Sequence, residues 1–145
     1  MEPVVISEYY LSKEAMDHKK LQKLCYYAQC WYYGLFQKKL MSTDFEAWIH
    51  GPVSPTMYHH YKQHSWLPIK NSLNPEIDID IKEFLDEIFN IYGKFSGEEL
   101  EILTHSEIPW IRARGTLSPT EPCNNPISYD DMLEYCKELL KESDQ

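Results

Sequence analysis

The sequence predicts a mainly α, single-domain bundle of six or seven helices around a central aromatic-rich helix, with at most a small β-hairpin or short sheet. Three observations carry this. Residues 18–36 keep a helical apolar period and are aromatic on the remaining faces. Two further amphipathic segments follow, at 79–92 and after Ser128. Helix-start signals recur along the chain, while strand-type alternation occurs once, at 45–50.

Taken in order, Pro3 to Leu11 reads as a first helix, with Val4, Ile6, Tyr9, Tyr10 and Leu11 apolar. In 18–36, Leu21, Leu24, Cys25, Ala28, Trp31, Tyr32 and Leu35 form one broad stripe, and Tyr26, Tyr27, Cys30 and Tyr33 fill other faces. A helix of that kind is buried on more than one side. Lys19, Lys20 and Lys23 lie outside the stripe. Gly34 either eases the helix end or allows close packing.

Phe45, Ala47 and Ile49 alternate with Glu46, Trp48 and His50, an extended signal that Gly51-Pro52 ends. Ser54 as cap and Pro55 at the first helical position start a helix running to about Gln63. Residues 64–79 read as an irregular connection in which "WLPI" adds an edge strand. The helix over 79–92 turns Ile81, Phe84, Leu85, Ile88, Ile91 and Tyr92 inward, and Gly93 caps it.

Ser96 and Glu99 form a capping box, with Leu100, Ile102 and Leu103 inward. Ser106 caps the short helix in "SEIPWIRAR". Residues 115–126 are a loop by composition. Ser128 with Asp131 starts the last helix, whose apolar face is Met132, Leu133, Cys136, Leu139 and Leu140. The tail frays from about 141. No repeat or linker divides residues 1–145, a length that suits one domain.

Composition narrows the function classes. The net charge of −9 argues against nucleic-acid binding, which needs a basic footprint. An acidic surface suits a basic protein partner. "MEPVVISEYY" has neither a basic start nor a sustained apolar run, so no signal peptide is expected. No apolar stretch is long enough to suggest a membrane span. The four cysteines show no zinc-ribbon or CxxC spacing and read as reduced thiols of a cytoplasmic protein.

The candidate chemistry is thin. His60 and His64 stand four apart, but no HExxH glutamate lies between them. Cys25 and Cys30 sit in the buried helix, and Cys123 lacks an evident base. Thr104, His105, Ser106 and Glu107 are triad residue types, yet sequence neighbours on a helix point to different faces. No glycine-rich phosphate loop exists. Catalytic, cofactor and metal residues are therefore not expected.

"KLQKLCYYAQCWYYGLF", "FEAWIHGPVSPTMYHHYK", "FLDEIFNIYGKFSGEELEILTHSEIPWIRAR" and "ISYDDMLEYC" occur in one order. Together they resemble the Panacea domain, the SocA-like antitoxin domain also called the phage-associated GepA-type domain, from about Ile6 to Leu140. The resemblance implies a non-enzymatic antitoxin that binds a cognate toxin protein, without a cofactor. Its alternatives are a proteolytic adapter delivering a toxin to a ClpXP-type protease, and a phage-borne effector binding a host factor. Cys30 and Cys25 stand where the family often has glycine and leucine, which bears on helix packing and partner choice.

Residues matching the family's signature turn are Trp48, His50, Gly51, Pro52, Val53, Pro55 and Tyr58. Tyr26, Tyr27, Trp31, His105 and Trp110 match its other pieces. These residues either build the core and the turn or anchor a partner. The partner-binding candidates are Trp48, His50, Pro52, Pro55, Tyr58, His59, Tyr61, Tyr26, Tyr27 and Trp110. Of these, Tyr58, His59 and Tyr61 are expected to be the most exposed.

Overall fold

The computed structural model of the protein describes residues 1–70 and 74–143. Among these, seven α-helices pack with one antiparallel hairpin. They are α1 (Pro3–Lys13), α2 (His18–Phe36), α3 (Pro55–Tyr61), α4 (Ile79–Tyr92), α5 (Gly97–His105), α6 (Ile108–Arg114) and α7 (Tyr129–Ser143), with β1 (Glu46–Trp48) and β2 (Gly51–Val53) between α2 and α3. A single 3-10 turn, Lys62–His64, extends α3. The mainly α prediction holds.

Helix α2 is the axis. It contacts α1, α3, α4, α5, α7 and β2. Asp17 starts it by accepting from the Lys20 amide at 2.8 Å. Gln37 ends it in the left-handed conformation, φ 53°. Leu21, Leu24, Cys25, Tyr26, Tyr27, Ala28 and Cys30 are all buried, so the helix is enclosed on every side along its first three turns. Gly34 serves close packing against α7, since a Cβ there would lie 2.5 Å from the Cys136 sulfur. Leu35 and Phe36, beyond that contact, are exposed.

Several helix starts follow the sequence signals. Ser54 accepts from the Met57 amide, and Pro55 opens α3. The Ser96–Glu99 capping box is complete. The Asp131 amide donates to Ser128 at 3.3 Å, ahead of α7. Gly93 caps α4 with ordinary right-handed backbone.

Other expectations are corrected. Ser106 caps the end of α5, its hydroxyl donating to the Leu103 carbonyl, and Glu107 occupies the position before α6. Gly51-Pro52 does not end the extended segment; it forms the return strand, with Trp48 paired to Gly51 across the turn at Ile49 and His50. Gly51 has φ 108°, which a side chain would strain. "WLPI" contributes one bridge, Ile69 to Met16, rather than a strand. Ile102 is 72% exposed, because α5 presents Leu100 and Thr104, four apart, to the core. Helix α7 runs to Ser143; Asp144 and Gln145, at the end of the tail expected to fray, lie outside the described residues, as do 71–73 of the 64–79 connection.

Three charged side chains are buried where sequence reasoning places charge outside. Lys23 is 2% exposed, Arg114 3% and Glu107 6%. Arg114 ties the hairpin to the 115–126 loop through the carbonyls of Ala47, Ser118 and Glu121. Its guanidinium also lies 4.9 Å from the Trp110 ring. Glu107 accepts from Tyr27 of α2 at 2.9 Å and from Tyr135 of α7 at 2.6 Å. Tyr27 stacks on Tyr92 of α4 at 3.9 Å. This network joins four helices behind the hairpin.

Candidate interaction groove

The hairpin rests on the first turns of α2, and the link is Gln22. Its side chain accepts from the Ser54 amide at 2.9 Å and donates to the Ser54 carbonyl at 3.1 Å. Both backbone groups at the head of α3 are thus held by one buried amide. The same nitrogen lies 3.1 Å from His18 Nε2, which makes that ring nitrogen the acceptor. Burial, reinforced by the Lys23 and His64 charges, pulls His18 down to about 4. Its ring is neutral near pH 7. It stacks on Tyr58 at 5.8 Å and meets Tyr61 edge-on.

These contacts leave an open groove of about 500 Å³ between α2, the hairpin, α3 and the segment after the 3-10 turn. Trp48 and Tyr58 form one wall and touch edge to face at 4.9 Å. Trp66, 80% exposed, stands over the groove beside Ser65. Ser65 has φ 54° and ψ −125°, a backbone state that costs roughly 1–3 kcal/mol. Asp17, Lys19 and Glu98 supply charge along the lining beside His50, and Lys23 lies beneath. Trp48 also borders a smaller hollow of about 230 Å³ with Ile49, Val53, Pro122 and Cys123. The signature turn therefore faces open space on both sides of Trp48.

The predicted residues divide by burial. Trp48 is half-buried, its indole donating to Glu46 at 2.8 Å. His50 is exposed and 3.2 Å from Glu101, which also pairs with Lys19 at 2.7 Å. Tyr58 and His59 are exposed, and Pro55 is half-buried. Tyr61 is corrected: it is 5% exposed, because it shares the inward face of α3 with Met57 and meets the Ser7 hydroxyl of α1 at 2.7 Å. Tyr26 and Tyr27 are buried in α2, so they shape the core and reach no partner at the surface. Pro52 is buried within the hairpin, and its carbonyl accepts from Lys23. Trp110 is 6% exposed; its indole donates to the Trp48 carbonyl at 2.9 Å, and its ring stacks on His105 at 3.9 Å. Trp110 positions the turn from behind.

Sequence reasoning missed His18, Gln22, Lys23 and Trp66 as lining residues. Lys23 had one available signal, its place four residues before Tyr27 within a helix buried all round. Trp66 lay in the segment treated as connection. Among the described residues, no group of three His, Cys, Asp or Glu side chains is placed to share a metal ion. None of the described helices is long and apolar enough to cross a membrane.

A helical scaffold that braces a rigid turn and lines a groove with aromatic side chains has the form of a protein-interaction module. The chain belongs to the antitoxin SocA-like, Panacea domain family, whose model matches residues 21–111, more than half of the sequence. The match starts three residues inside α2 and ends within α6, so it contains the hairpin, α3 and most of the groove lining, with Asp17, His18 and Lys19 just before it. No curated protein and no solved structure matches the chain.

Proposed function

We propose that this protein is an antitoxin that neutralises a toxin protein by direct contact, with the groove around Trp48, Tyr58 and Trp66 as its contact surface. The family supports an antitoxin-type role. The observation that carries the placement is the convergence of three large aromatic side chains on one open groove backed by a buried, hydrogen-bonded frame. Large aromatic groups at a preorganised surface make effective anchors, because little entropy is lost when they are covered. Asp17 and Glu98, the two carboxylates of the lining, favour basic groups on the partner beside its anchor.

The test is rescue of growth. Cells expressing the toxin encoded beside this protein survive when the protein is co-expressed, and the two co-purify. Trp66→Ala abolishes both effects without altering the melting temperature, and Tyr58→Ala abolishes them with a small loss of stability from its contacts to His18 and Trp48. Full rescue by both variants excludes the groove as the contact surface. Failure of the unaltered protein to rescue or co-purify excludes the antitoxin role.

A further inference from the structure

Lys23 is an unusual residue to find under an interaction groove. Its side chain is 2% exposed, yet it forms part of the groove lining. An ammonium carries three N–H donors. Among the described residues, Lys23 makes one hydrogen bond, a long one of 3.3 Å to the Pro52 carbonyl. The hairpin packs directly onto the side chain: a Cβ at Gly51 would lie 2.7 Å from Lys23 Cε and 3.3 Å from Nζ. Thr104 of α5 closes the same spot. A lysine sunk into protein with most of its donors unspent is costly to the fold on its own. Nothing in the packing of α2 requires an amine there, since the position could hold an apolar side chain of equal length.

We infer that Lys23 is a carboxylate receptor at the floor of the groove, taking one Asp or Glu side chain of the partner protein, presented next to an apolar anchor held by Trp48, Tyr58 and Trp66. This rests on the groove being the partner-contact surface. An incoming carboxylate would accept from the remaining N–H groups and bring a counter-charge into direct contact, where Glu101 and Asp17 act only at longer range. With Asp17 and Glu98 on the lining and an ammonium at the floor, the groove favours a partner that presents a single acid with basic groups beside it. That combination rejects surfaces bearing only one sign of charge.

The electrostatics agree. Burial, moderated by Glu101 and Asp17 and reinforced by Lys19, pulls the Lys23 amine down to about 7. The other titratable groups around it are His18 on α2, His105 on α5 and His50 on the hairpin. A bound carboxylate favours the charged amine and raises its titration midpoint. Binding therefore takes up a proton above neutral pH. In that range affinity falls by about tenfold per pH unit until the bound amine itself titrates.

A small probe tests this without the toxin. Indole-3-propionate joins a carboxylate to an aromatic ring, and indole-3-propionamide is its neutral counterpart. Both are titrated into the full chain while the Lys23 Cε signal is followed by NMR. The acid is expected to bind roughly tenfold or more tightly than the amide, the size of one charge-assisted hydrogen bond. It is also expected to move the Lys23 midpoint upward. Lys23→Met should lose the preference for the acid and keep the weaker binding of the amide. Equal binding of the two probes, binding of neither, or an unmoved Lys23 midpoint overturns the inference. The midpoint is read on the unaltered protein, so poor folding of the variant does not obscure the result. Because no toxin is present, this outcome is separate from success or failure of the rescue assay.

Discussion

Replacing Glu107 with Gln removes the one carboxyl that joins α2, α6 and α7. Burial lifts this carboxyl from its ordinary 4.5 to about 7, although hydrogen bonds from Tyr135 and Tyr27 oppose the rise. Between those two values the folded protein holds a proton that the unfolded chain has released. The group's contribution to stability is complete below about pH 4.5 and is lost as pH rises through about 7. At about 1.4 kcal/mol per pH unit, the loss is about 3 kcal/mol. For a chain of this size, roughly 2–4 °C per kcal/mol makes this roughly 10 °C in melting temperature. Gln has the same size and no charge. The assay is urea or thermal unfolding of both proteins from about pH 5 to about pH 8. Asp44, Asp86 and Glu101 are held below their ordinary values and act at the acid end of the range in both proteins, so the difference between the curves isolates Glu107. The unaltered protein should lose stability relative to Glu107→Gln as pH rises. A flat difference, or one of opposite sign, refutes the reasoning.

Lys23→Met should raise stability near neutral pH by a few kcal/mol, because a buried amine lowered to about 7 costs the fold most below that value and nothing above its ordinary 10.5; the unaltered protein alone should gain stability with pH across that window in denaturant titrations. Gly34→Ala should cost about 1–3 kcal/mol in chemical unfolding, since its Cβ meets Cys136 of α7 at 2.5 Å. Arg114→Met should cost about 2–4 kcal/mol and expose the 115–126 loop to proteolysis, because the carbonyls of Ala47, Ser118 and Glu121 lose their shared donor.

Local signals in the sequence located the helices well. The bounds of α2 follow from its apolar spacing, and Ser54-Pro55 and Ser96–Glu99 act through bonds spanning three residues. Errors arose where the deciding partner is distant in sequence. Tyr61 turns inward toward Ser7, 54 residues away. Lys23 is covered by the hairpin, whose Pro52 carbonyl lies 29 residues on. Glu107 is covered by Tyr27 and Tyr135, from two other helices. Gly51-Pro52 looked like a stop because both residues break strands; in a two-stranded hairpin, β2 has a free edge that needs no donor from Pro52. The site was half legible: Trp48, His50 and Tyr58 stood out in the signature turn. Trp66 did not, because its position depends on the Ser65 backbone state.

The most direct test of the account is the affinity of the Trp66→Ala variant for the proposed toxin partner, set against that of the unaltered protein. At 80% exposure this side chain contributes little to the fold, so the melting temperature should stay within a degree or two, about the scatter expected for a surface change. Affinity should fall at least about tenfold, as for an anchor residue, and growth rescue should fail with it. Unchanged affinity and full rescue would contradict the assignment of the groove as the surface that meets the toxin.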